Sequence, residues 1–198
     1  MTEPYTSQSI LHFTKQRLAS ARNSLYTSYL IVTKPPISSL RSGRQILNSL
    51  KFERILVAVD GSDNAGRAAQ VAITLAEKFG AELLICYAIQ TPFYSFQQDG
   101  LAVPADVLKD YIAAAQEDAN TIVNKLVHQA EAAHVKAEAV IQPNTFSVVE
   151  AIVNLAASRS VDLIVVGTRG RTGFKKLLMG SVSSGVMNHA HCSVLVVR

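Results

Sequence analysis

Arg54-Ile-Leu-Val-Ala-Val-Asp60 is the stretch on which the fold turns. Apolar residues run from Ile55 to Val59 without a polar interruption and stop at an acid. A strand with one wet face alternates; a continuous apolar run bounded by turn residues reads as a strand buried on both faces. Ser62 then offers a helix cap, and Ala68, Val71, Ala72, Leu75, Ala76 and Phe79 form one apolar stripe. Gly80 closes that helix as a left-handed residue, and Glu82–Ile89 repeats the buried-strand pattern.

Further along, the same alternation continues. A loop spans Gln90–Pro104, and Ala105–His134 predicts a long alanine-rich helix. Val135–Ile141 predicts a third strand, and Ser147 with Glu150 forms a capping box opening a helix to about Arg159. Val161–Val166 is a fourth strand, Gly167–Gly180 a glycine-rich loop, Ser181–His189 a last helix and Ser193–Val197 a last strand. Strand and helix alternating in this way predict the α/β class: a parallel sheet with helices on both faces and right-handed crossovers. Ligands of such sheets bind beyond the strand carboxyl ends, where strand order reverses, which singles out the tips Asp60, Ala88, Gln142 and Gly167.

Charge divides the chain. Residues 1–50 carry Lys15, Arg17, Arg22, Lys34, Arg41 and Arg44 against Glu3 alone, whereas residues 51–198 are close to neutral. The basic balance therefore belongs to the extension, and no nucleic-acid face is expected on the domain. The extension also holds nine of the chain's serines and Pro35-Pro36. Leu11, Leu18, Leu25 and Val32 recur every seventh residue, which predicts a flexible or weakly helical segment ended by the prolines. A mobile tail or an over-long start, an organelle-targeting presequence, and a docking helix all remain open for it. No run approaches the roughly 20 apolar residues of a membrane span, and a cytoplasmic location is expected unless residues 1–50 are a presequence.

Gly167-Thr-Arg-Gly170 follows the fourth strand, and Gly180-Ser181 opens a helix, giving G-x2-G-x9-G-S. Phosphate oxygens need donors at close range. Glycines let backbone approach, and a helix start offers unpaired N–H groups, here near Ser181, Val182 and Ser183, with the Ser181 and Ser183 hydroxyls as further donors. Arg169, Arg171, Lys175 and Lys176 could screen the charge. Asp60 could accept from a ribose, hold Mg2+ through water, or serve the next helix start. No Walker loop, no G-x-G-x-x-G after the first strand and no G-x-S-x-G is present. His189-Ala-His191-Cys192 lacks an acidic or histidine partner nearby and reads as structural, and Cys86 and Cys192 stand in apolar runs as buried thiols.

At this point the residues resemble a family. ILVAVDGSDNAGRAAQVA (55–72) and DLIVVGTRGRTGFKKLLMGSVSSGVMNHAHCSVLVV (162–197) resemble the opening and closing signatures of the universal stress protein family, and the glycine pattern resembles that of its ATP-binding members. The resemblance covers residues 51–198. It implies a five-stranded parallel sheet ordered 3-2-1-4-5, an adenine nucleotide alpha-hydrolase-like fold. It also implies ATP or AMP as ligand. Carried onto this chain, Ala58, Val59 and Asp60 would contact base and ribose, and Ala88 the adenine. Val166 and Gly167 would flank the sugar, and Arg169, Gly170, Gly180, Ser181, Val182 and Ser183 would cradle the phosphates. Ala88 is smaller than the aliphatic residue frequent there. The family also implies a homodimer through Ser193–Arg198. The expected function is a non-enzymatic, nucleotide-binding regulator of stress response. The alternatives are an adaptor acting through residues 1–50, and a slow ATPase using Asp60.

Overall fold

The computed structural model describes residues 29–32, 51–90, 105–170 and 179–198. In chain order the elements are β1 (Tyr29–Val32), β2 (Arg54–Val59), α1 (Asp63–Phe79), β3 (Glu82–Gln90), α2 (Ala105–Ala132), β4 (Ala137–Thr145), α3 (Val148–Ser158), β5 (Leu163–Gly167), α4 (Ser181–His189) and β6 (Ser193–Val197). The strands form one sheet in the order β1-β6-β5-β2-β3-β4. From β2 to β6 all pairings are parallel, and those five strands have the expected 3-2-1-4-5 order.

The continuous apolar runs are explained by what lies on either side of the sheet. Ile55, Val57 and Val59 point into one core with α1 and α2; Leu56 points into the other with α3 and α4. β5 and β6 divide in the same way: Val165 and Leu195 join the first core, Val166 and Val196 the second. Phe52 meets Phe79 edge-on at 5.1 Å and closes the lower end of the first core. At the amino ends of the strands, Asp162 Oδ2 accepts from the N–H groups of Glu53 (2.7 Å) and Arg54 (2.9 Å), fixing the starts of β2 and β5 together.

The sixth strand is a departure from expectation. Tyr29–Val32 pair antiparallel with β6, at the end of a segment expected to be weakly helical. The heptad reading included Val32, which lies in this strand; Leu11, Leu18 and Leu25 lie outside the described residues. β4 also runs further than its expected end at Ile141 and passes through Pro143. Among the described strands it has a neighbour on one side only, so a proline without an N–H is tolerated there.

Three helices stop with the same pair of backbone bonds. After α1, Gly80 N donates to Glu77 O and Ala81 N to Ala76 O; after α2, His134 N to Glu131 O and Val135 N to Ala130 O; after α3, Ser160 N to Ala157 O and Val161 N to Ala156 O. This closure requires a left-handed residue, and φ is 65° at Gly80, 58° at His134 and 51° at Ser160. Glycine meets that requirement without a Cβ clash; histidine and serine do not. His134 and Ser160 are both exposed, so little else is lost by replacing them. His134→Gly and Ser160→Gly should each raise stability by about 1 kcal/mol, and Gly80→Ala should lower it by about the same. Urea midpoints at constant slope check this.

Candidate functional site

The strand tips open into a cavity of about 370 Å³ at the carboxyl end of the sheet. The chain runs β2, β3, β4 to one side and then crosses to β5 and β6 on the other, so β2 and β5 bound the point where strand order reverses. The burial of the strands shows where the floor lies. Along β2 and β3, Ala58 and Ala88 are only half-buried between buried neighbours. There the small side chain leaves the sheet surface open. Beyond Ala88 the register between β3 and β4 shifts, so Gln90 pairs with Thr145 and the sheet splays at the cavity mouth.

All twelve residues singled out from the sequence line this one cavity: Ala58, Val59, Asp60, Ala88, Val166, Gly167, Arg169, Gly170, Gly180, Ser181, Val182 and Ser183. Others were missed. Tyr111 and Ala115 come from the face of α2 above the floor, Val148 and Ile152 from α3, and Gln90 from the end of β3. Cys86 also lines the cavity, and burial pushes its thiol up to about 12, so it serves as apolar wall rather than as a thiolate. Cys192 is pushed up to about 11, again chiefly by burial. Gln142, the fourth strand tip, is not among the lining residues. Arg171, Lys175 and Lys176 lie outside the described residues.

On the polar side, α4 begins at Ser181 with Gly180 as its extended cap, a residue with no side chain to bond the helix's first amides. The first intrahelical bond runs from Ser184 N to Gly180 O, so the helix supplies no acceptor for the N–H groups of Ser181, Val182 and Ser183. Ser181, Val182 and Ser183 all line the cavity, so the helix start and the positive end of its dipole lie at the cavity wall. Gly180 N is bound to Thr168 O at 2.7 Å, which ties the helix start to the turn after β5. One expected role needs correcting. The Ser183 hydroxyl is buried and lies 3.2 Å from Thr168 O and 3.0 Å from Gly180 O, both acceptors only. Its proton is committed to the protein's own turn, leaving the Ser183 main chain as its donor to any ligand.

Two glycines of the pattern serve the protein before any ligand. A Cβ on Gly167 would stand 3.0 Å from the carbonyl carbon and oxygen of Asn64, in the first turn of α1. A Cβ on Gly170 would stand 2.5 Å from Asp60 Oδ2. The other oxygen of Asp60 accepts from Ser62 N at 3.0 Å, and Ser62 Oγ accepts from Ala65 N at 3.2 Å. Asp60 is thus half-buried and held against the start of α1 and the glycine turn together. It is the one carboxylate among the described lining residues. Among the described residues no group of three histidine, cysteine or acidic side chains is placed to hold a metal ion. No helix among them is long and apolar enough to cross a membrane.

A doubly wound sheet, parallel from β2 to β6, with a cavity at its switch point between a glycine turn and a helix start defines an α/β protein of the open-sheet class, in which that point is the usual place for a ligand. The chain belongs to the universal stress protein family, whose model matches residues 51–198. A universal stress protein of Methanocaldococcus jannaschii is 33% identical over 165 residues, covering 81% of this chain and 88% of that one. The solved universal stress protein UspA of Lactobacillus plantarum superimposes with a TM-score of 0.67 at 26% identity, over 76% of this chain and 100% of that one. A universal stress protein solved in complex with cAMP gives 0.54 at 27% identity, over 75% of this chain and 99% of that one.

Because Asp60 is pinned by Ser62 N, an alanine at position 170 meets a carboxylate that cannot swing away freely. Gly170→Ala should cost about 1–3 kcal/mol, and most of that penalty should vanish in an Asp60→Ala background. A double-mutant cycle of unfolding free energies reads the coupling; simple additivity would mean the turn accommodates the methyl group.

Proposed function

We propose that the protein is a regulatory binder of adenine nucleotides, ATP or AMP, rather than an enzyme. The observation that carries this reading is the convergence of two chemistries on one cavity. The half-open floor at Ala58 and Ala88, with Val59 and Tyr111, offers a flat apolar slot for a base. The amides at Ser181, Val182 and Ser183, with Arg169 and Gly170, offer a cradle for phosphates. Hydrogen bonds to charged oxygens contribute about 1.5–3 kcal/mol each. Two or three of them, with apolar burial of the base, reach the roughly 8 kcal/mol that micromolar affinity requires. The relative bound to cAMP supports adenine as the base. Asp60, at the tip of β2 and between base and phosphate sides, is the residue for ribose hydroxyls or for Mg2+ through water.

The described lining supports a regulatory role. Hydrolysis needs a base or a group that orients water. Asp60 is the one carboxylate in the described lining, and one of its oxygens already accepts from Ser62 N. A stress-response role rests on the family. The partner reading is a second copy of the chain across Ser193–Arg198, and residues 1–50 are read as an extension to a domain at 51–198.

Calorimetric titration of ATP, AMP and cAMP into the full chain should give micromolar binding. Gly180→Val should weaken it at least tenfold, because a Cβ there already stands 3.2 Å from Thr168 O and crowds the amides. Absence of heat and of any thermal shift at millimolar nucleotide would reject the reading.

A further inference from the structure

β6 is an apolar strand buried along its whole length, from Ser193 to Val197. Its inner side pairs with β5 over five residues. Its outer side would present a bare row of N–H and C=O groups, a template for another strand, and Tyr29–Val32 fill it. We propose that Tyr29–Val32 stand in for the β6 of a second copy of this chain: they hold the edge within one molecule, and a dimer through that edge forms when they leave it. This inference rests on the second-copy partner reading and is independent of the nucleotide reading.

Three observations point to a second copy as the alternative occupant. The first is direction. Among the described strands β1 is the one antiparallel member of the sheet, and two copies related by a two-fold axis necessarily bring identical edge strands together antiparallel. The second is sequence. Tyr29-Leu30-Ile31-Val32 matches Val194-Leu195-Val196-Val197 with leucine at the same place, isoleucine for valine, valine for valine and one aromatic for a valine. The third is register. Tyr29 lies opposite Val197, Leu30 opposite Val196, Ile31 opposite Leu195 and Val32 opposite Val194. Replacing β1 by β6 residues in that order gives Val194 opposite Val197 and Leu195 opposite Val196, each pair repeated by the two-fold, so all four positions overlap.

The connection is long enough for one chain to supply both strands. Val32 ends beside Val194, at the amino end of the sheet, where Arg54 begins β2. Three strand spacings of about 4.8 Å separate β1 from β2, or about 15 Å. Residues 33–50 can reach about 60 Å when extended. A segment tethered in this way competes at an effective concentration of order millimolar. At micromolar protein the internal strand therefore outcompetes a second copy, although it pairs through only four residues.

Two full-chain variants test this. Successive residues of a strand turn their N–H groups to opposite sides, so Leu30→Pro with Ile31→Pro removes one of the two donors facing β6, whichever residue carries it, and distorts the strand around it. Leu30→Cys with Val196→Cys places two thiols at directly opposed positions, whose Cα separation in an antiparallel pair suits a disulfide. Sedimentation at micromolar concentration should give a monomer for the unaltered chain and a dimer for the proline variant. Peptide mapping of the oxidised cysteine variant should give a 30–196 bond within one chain. If that bond fails to form, or forms only between chains, the inference is overturned while the partner reading stands. If it forms within the chain and the proline variant stays monomeric, both fall; an unaltered chain that is already a dimer overturns the inference alone. ATP titration of the same proteins reports on the nucleotide reading separately.

Discussion

Main chain pressed against main chain sets the geometry of this protein's working end. The turn after β5 passes so near the first turn of α1 that a single added carbon at Gly167 would meet the Asn64 backbone at 3.0 Å. Two residues on, the same turn lies against the Asp60 carboxylate, which is itself fixed by Ser62 N. From there Thr168 O holds Gly180 N and orients the start of α4. The glycine spacing is therefore first a packing requirement of the apoprotein. The turn can lie close to α1 only where it lacks a side chain at Gly167, and the close fit fixes where α4 starts at the cavity wall. A pattern usually explained by what a ligand needs is here explained largely by what the fold needs, and the two requirements coincide.

Much of this could be read from the residues because the signals are local and redundant. Ile55–Val59 has no polar interruption, so it has no solvent face; Ser62 and Gly80 bracket a helix whose stripe has one period; Ser181 opens a helix directly after a glycine. The cavity's lower and phosphate-side walls come from those same short stretches. What escaped notice comes from longer range. Tyr111 and Ile152 reach the cavity because α2 and α3 fold over opposite faces, which no spacing in their own segments reveals. His134 and Ser160 occupy positions that reward glycine, so composition gave no mark of the left-handed turn that the backbone makes there. Ser183 looked like a ligand donor until its hydroxyl was found facing two carbonyls.

Tyr29–Val32 escaped for a different reason. Four residues satisfy either period: Val32 completed a seven-residue repeat of leucines, while aromatic and β-branched residues together favour a strand. Propensity over so short a run cannot choose. The choice is made by an open apolar edge elsewhere in the chain, a tertiary fact about β6 with no trace in the segment itself.

That edge also lies near the site. β1 is antiparallel, so its amino end, Tyr29, sits beside Val197 at the carboxyl end of the sheet, and Val197 O accepts from Thr168 N at 2.8 Å. The strand that offers the edge thus carries the residue that anchors the start of the glycine turn. Ligand and edge occupant can influence one another only to the extent that either binds one arrangement of this turn more tightly than another. One short run of main-chain bonds, from Val197 through Thr168 to Gly180, braced by the Ser183 hydroxyl on Thr168 O and Gly180 O, is the physical connection through which such a difference would act.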